Sequence, residues 1–152
     1  MWYRVFALKP DMPQPAALQE HLRLLGVETS FEVRGDDLGW TALTLKLAEN
    51  SSPLQVERYL PEEDDIRDDL DTWAAWLETQ EHEPNHSRLM QHVIGTQQLF
   101  TLRGPLDDAD EDLLERVCEG MAKFLAGTCE GIYQIDGRGF FAAAGTILLQ
   151  EL

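Results

Sequence analysis

The stretch Arg58–Glu78, RYLPEEDDIRDDLDTWAAWLE, limits what this chain can fold into more than any other. It reads as a strand end, a proline turn and a long helix. Ile66, Leu70, Trp73 and Leu77 fall at i, i+4, i+7 and i+11, so they share one helical stripe with Trp76 on its flank. A stripe of that kind needs an apolar surface to cover, and the alternating segments on either side supply a sheet. Asp64, Asp65 and Asp68 point away from the stripe, where an acid-rich first turn also suits the positive end of the helix dipole.

Before this stretch, Trp2–Leu8 carries apolar residues on both alternating sides, the pattern of a strand buried on most of both faces and central in its sheet. Prolines at 10, 13 and 15 break it. Pro15 suits the first turn of a helix bearing Leu18, Leu22 and Leu25, and Gly26 suits its left-handed stop. Val27–Arg34 and Trp40–Leu47 read as a hairpin about the loop Gly35–Gly39. The turn residues Glu49–Pro53 then lead to a fourth strand, Leu54–Leu60, expected at an edge.

After the central helix, Asn85 is placed to cap a short helix holding Leu89, Met90, Val93 and Ile94. Gln97–Arg103 follows as a fifth strand. Asp107 or Asp108 is placed to cap a last helix with Leu114, Val117, Met121 and Leu125 on one stripe, ending at Gly127. Gly120, within that helix, suits close packing. Ile132–Asp136, the turn Gly137–Gly139 and Phe140–Gln150 read as a closing hairpin.

Val5–Lys9 resembles Leu99–Arg103, and each is followed by a proline-containing loop, an amphipathic helix and two strands. The fold class expected is therefore α+β: a mainly antiparallel sheet built from two similar strand-helix-strand-strand units, a ferredoxin-like pseudo-duplication, with helices packed on one face. Residues 1–152 then form a single domain, with halves at about 1–60 and 97–152 joined by the helical segment 61–96.

The chain has 152 residues, 43% of them hydrophobic, enough to bury a core without disulfides or metal. Its 28 acidic against 12 basic residues give a net charge of −16. Such a surface repels phosphate backbones, which excludes ordinary nucleic-acid binding and favours a basic protein as partner. Met1–Phe6 lacks the basic start and apolar core of a signal peptide, and no apolar run spans a bilayer. A cytoplasmic location without membrane association is expected, with Cys118 and Cys129 reduced.

The candidate sites are few. Glu62, Glu63, Asp64, Asp65, Asp68, Asp69 and Asp71 supply oxygen donors, but consecutive helical acids splay around the axis and form no calcium loop. The same holds for Asp107, Asp108, Asp110, Glu111, Asp112 and Glu115. If both acidic starts share a face, they make one negative field for a basic partner. His82 and His86 have ligand-like spacing, but Pro84 spoils the helical geometry. No serine sits in a nucleophile turn, and neither cysteine has a catalytic surrounding. Arg138 at a hairpin tip offers donors to an anion.

Trp40, Trp73 and Trp76 are expected to pack in the core; the alternative for Trp76 is a ligand groove between sheet and helix, lined by Arg58, Glu62 and Trp76. There Arg58 would hold an anionic group and Glu62 would act as acid or base. The reading that follows is an acidic, cytoplasmic protein-binding chain of adaptor or inhibitor type, without cofactor or metal. The alternative is a small-molecule binder or enzyme using the Arg58–Glu62–Trp76 groove, and a homodimer through a sheet edge is a third possibility.

Overall fold

A computed structural model describes residues 1–47, 52–104 and 111–151. The expected turn at Glu49–Ser51, the cap at Asp107 or Asp108 and the acid Asp110 lie outside the described residues.

The elements run β1 (Trp2–Ala7), α1 (Pro15–Leu24), β2 (Phe31–Asp36), β3 (Gly39–Leu45), β4 (Leu54–Tyr59), α2 (Arg67–Glu78), α3 (His86–Ile94), β5 (Gln98–Arg103), α4 (Glu111–Thr128), β6 (Gly131–Ile135), β7 (Gly139–Ala142) and β8 (Ile147–Gln150). The described strands form one antiparallel sheet of eight, in the order β2-β3-β4-β5-β1-β6-β7-β8. β1 is interior, as its two-sided apolar pattern requires. It pairs Trp2 with Arg103 through Ala7 with Gln98 on one side, and Tyr3 with Ile135 through Ala7 with Gly131 on the other.

Helices cover both faces, which corrects the expectation of one. On the first face, Leu18 and Leu22 of α1 and Val117, Met121 and Leu125 of α4 pack over Tyr3, Val5, Leu43, Val56, Phe100 and Tyr133. On the second, Leu70, Ala74 and Leu77 of α2 and Leu89 and Val93 of α3 pack over Phe6, Leu99, Ile132, Phe140 and Leu149. The physical reason is in β1 itself. Phe6 points opposite to Val5 and both are fully buried, so a single helical layer would leave Phe6 in water at a cost of about 1.5–3 kcal/mol. Phe6 is enclosed instead by the rings of Phe140 at 6.0 Å and Trp73 at 6.1 Å.

The two strand-helix-strand-strand units are laid down in opposite senses. From β1 the chain crosses to the far edge and returns inward through β2, β3 and β4, whereas from β5 it crosses beneath α4 to β6 and continues outward. Their pairings are therefore not equivalent, and the sheet has more strands than a ferredoxin-like fold. β4 is interior between β3 and β5 and does not form an edge. The segment Phe140–Gln150 is two strands. Gly145, at φ 99°, lets the chain turn, with its N–H donating to Ala142 O at 2.8 Å. Gly26 takes the expected left-handed conformation at φ 84°. α4 runs through Gly127 to Thr128.

Candidate binding face

The expected groove residues do not meet. Arg58 follows Leu54 and Val56 at alternate positions of β4, so its side chain enters the first face and is 5% exposed. There its Nε donates to Gln98 Oε1 at 2.8 Å, and its Nη1 donates to the carbonyls of Trp40 at 3.1 Å and Leu38 at 3.3 Å. Burial lowers its pKa, against the opposing influence of Asp36 and Asp64. Trp76 lies on the second face, stacked on Phe140 at 6.2 Å. Glu62 is exposed before α2 and accepts from Arg67 Nε at 2.7 Å. The sheet separates Arg58 from Trp76. Arg58 ties the β2–β3 turn to β5, because Gln98 in turn donates to the carbonyls of Lys9 and Asp11 at 2.7 and 2.8 Å.

A different constellation forms on the second face, where the apolar layer over α2 and α3 gives way to polar sheet. Register aligns two rows of side chains across three strands: Gln55, Arg103 and Trp2, then Glu57, Thr101 and Arg4. The Arg103 guanidinium lies 5.3 Å from the centre of the Trp2 ring, and that of Arg4 lies 5.7 Å from Trp2 and 5.0 Å from Trp73. Contacts of this kind hold indole and guanidinium in fixed mutual orientation. Arg4 is further fixed by donating to Gln134 Oε1 at 2.9 Å and Asp136 Oδ1 at 2.6 Å. Arg103 is exposed and has no ion-pair partner among the described residues. Glu57 accepts a hydrogen bond from the Tyr59 hydroxyl. Burial first, and then the Glu57 bond and charge, push that hydroxyl's pKa up to about 12, so it remains a donor.

Two half-open hollows of about 430 and 380 Å³ meet at Trp2 and Thr101. Pro53, Gln55, Glu57 and Arg103 line the first; Arg4, Ile66, Asp69 and Trp73 line the second. Together they offer an exposed indole, a guanidinium without an ion-pair partner among the described residues, a carboxylate and amide and hydroxyl groups on a rigid sheet. That mixture fits the polar backbone and mixed side chains of a polypeptide. The sequence carried a signal for this face: Arg4 and Arg103 sit at alternate positions of two central strands, where a helix-covered face would hold apolar residues.

The other candidates are placed as follows. Glu62, Glu63, Asp64, Asp65, Asp68, Asp69 and Asp71 are exposed around the entry of α2. α4 lies on the opposite face of the sheet, so Glu111 and Asp112 do not share a face with them, and Glu115 pairs with Arg138. His82 lies beside Glu83, and His86 Nδ1 donates to the Glu83 carbonyl. Among the described residues no group of three His, Cys, Asp or Glu side chains is placed to hold a metal. Both thiols are buried, and burial pushes Cys118 up to about 12 and raises Cys129. No helix among the described residues is long and apolar enough to cross a membrane.

Comparison with known proteins returned no matching family model, no matching curated protein and no matching solved structure.

Proposed function

We propose that this chain acts by binding another protein, without turning over a substrate, and that its contact surface is the sheet face around Trp2, which no described helix covers. The observation that carries this reading is the pair of half-open hollows meeting at Trp2 and Thr101. An indole already oriented by two arginines is a low-entropy anchor of the kind that dominates protein interfaces. The occupant is an extended basic segment of a partner. Asp69 lines the second hollow, the exposed Asp64, Asp65 and Asp68 precede it, and the net charge of −16 steers cationic chains toward the molecule. Gln55, Thr101 and Arg103 then meet the segment's backbone and carbonyl groups.

The test is a titration of the isotope-labelled protein with three 12-residue peptides, one basic, one neutral and one acidic, followed by NMR. The basic peptide is expected to shift the Trp2 indole, Thr101 and Arg103 signals, with affinity falling as salt rises. Trp2→Ala is expected to weaken that binding by about thirtyfold, the scale of a hot-spot anchor. Shifts confined to the α1/α4 face, or equal binding of the acidic peptide, would overturn the reading.

A further inference from the structure

We infer that the outer edge of β2 is an interface for a second copy of this chain, paired antiparallel about Val33. Among the described strands β2 ends the sheet and pairs with β3 alone, so its outward backbone groups have no described strand opposite them. Every residue from Glu32 to Asp36 is exposed, Val33 by 52%. Edges of this kind are commonly blunted by proline, lysine or a bulge in the edge strand. β2 has neither Pro nor Lys. Its register shift against β3, where Arg34 faces Ala42 and Gly35 faces Trp40, puts the extra residue, Thr41, on β3, so β2 keeps a regular outer edge.

The charges on that edge are self-complementary. A two-fold axis through Val33 sets Val33 against its own copy, Glu32 against Arg34 of the second copy, and Arg34 against Glu32. Residues directly opposite on antiparallel strands have Cβ atoms about 4.5–5.5 Å apart, where opposite charges attract and like charges repel. Neither Glu32 nor Arg34 has an ion-pair partner among the described residues, so both charges are available. The same axis sets Phe31 against Gly35. This is an isologous contact, which closes at two copies and does not propagate through β2. The other edge, β8, carries Ile147-Leu-Leu-Gln150 and no charge, so it has no comparable code.

Three strands separate β2 from β1, and with neighbouring strands about 4.8 Å apart the edge lies roughly 19 Å from Trp2. The dimer is therefore compatible with a partner on the face around Trp2 and does not depend on that reading. A pair of short strands belongs to the small interfaces, below about 1,200 Å², so a weak reversible dimer is expected.

Sedimentation of the full chain from roughly 10 µM to 1 mM, a range matching such weak affinities, reads the result. The wild type is expected to show a concentration-dependent monomer–dimer equilibrium. Glu32→Arg sets Arg against Arg twice, and Arg34→Glu sets Glu against Glu twice, so each is expected to weaken the dimer at least tenfold. Mixed in equal amounts, the two variants restore both opposite-charge pairs, and a one-to-one heterodimer is expected. A misfolded variant cannot produce that rescue. A wild type monomeric throughout, a dimer indifferent to both substitutions, or a mixture that stays monomeric would each overturn the inference.

Discussion

Replacing Gln98 with leucine should be among the most damaging single changes in this protein, although Gln98 is polar and touches no ligand face. Its side chain is fully buried, and its amide connects three elements: Oε1 accepts from Arg58 Nε at 2.8 Å, and Nε2 donates to the carbonyls of Lys9 at 2.7 Å and Asp11 at 2.8 Å. Leucine fills a similar volume, so the cavity contribution is small and the loss is polar. Two part-buried carbonyls lose a donor, at about 1 kcal/mol each, and a buried guanidinium loses an acceptor, at about 1.5–3 kcal/mol. The expected cost is about 3–5 kcal/mol, a large part of the 5–15 kcal/mol typical of a domain. Arg58→Met removes the other end of the same bond. It leaves the Trp40 and Leu38 carbonyls without their donor but relieves the burial of a charge, so about 2–4 kcal/mol is expected. Because both substitutions delete the Arg58–Gln98 bond, the double variant should be more stable than the sum predicts, by about 1.5–3 kcal/mol. Urea unfolding of the four proteins, with slopes compared to confirm a common reference, measures this cycle. Additive losses, or a Gln98→Leu cost below 1 kcal/mol, would refute the reasoning.

Two further outcomes follow from the packing. His92 Nε2 donates to the Phe6 carbonyl at 2.8 Å, and burial lowers its pKa, with the nearby Arg88 charge acting in the same sense. A lowered folded pKa means that the unfolded chain takes up the proton first. Stability is therefore full above the unfolded value of about 6.5 and falls as pH drops from there to the folded pKa, by at most about 1.4 kcal/mol per unit. Urea midpoints at pH 7.5, 6.5 and 5.5 should show that slope in the wild type and a shallower one in His92→Gln; equal slopes would refute it. Gly120→Ala is expected to stabilise α4 by about 0.5 kcal/mol. The added methyl meets only the Leu25 Cδ1 tip, on a side chain 41% exposed and free to shift, while alanine gains helix propensity of up to about 1 kcal/mol. A lowered melting temperature would show that Leu25 cannot yield.

The order of strands was not legible in the chain, because amphipathic stripes specify that a helix covers a sheet but not which face it covers. Ile66, Leu70 and Leu77 do lie on one buried stripe of the α2 region, as their spacing predicts. The decisive clue to a second helical layer lay in β1, whose Phe6 and Val5 both demand burial on opposite sides. Arg58 shows the same limit for the site. It shares a strand face with Leu54 and Val56, but its expected place in a ligand groove did not hold, because the tertiary pairing of β4 with β5 brings Gln98 to it. Arg103 and Trp2 are distant in sequence and meet through the β1–β5 register alone. Pro61 and the left-handed Asp65, at φ 55°, delay the helix to Arg67, so the acids 62–65 belong to a turn.

The interior position of β1 also determines when the molecule can assemble. Its cross-strand contacts include Arg4 with Gln134, 130 positions apart, and its other ladder reaches the residues from Gln98 to Arg103. The β2–β3 hairpin closes locally and can form within roughly 1–10 µs. The strand about which the sheet is built has to wait for both later segments. Dominance of such distant pairings places folding in the millisecond-to-second range. The ladder of Val5, Phe6 and Ala7 with β6 is completed only once residues 131–133 have been made. Unpaired apolar strands of this kind promote aggregation, and the net negative charge opposes it by keeping incomplete chains apart.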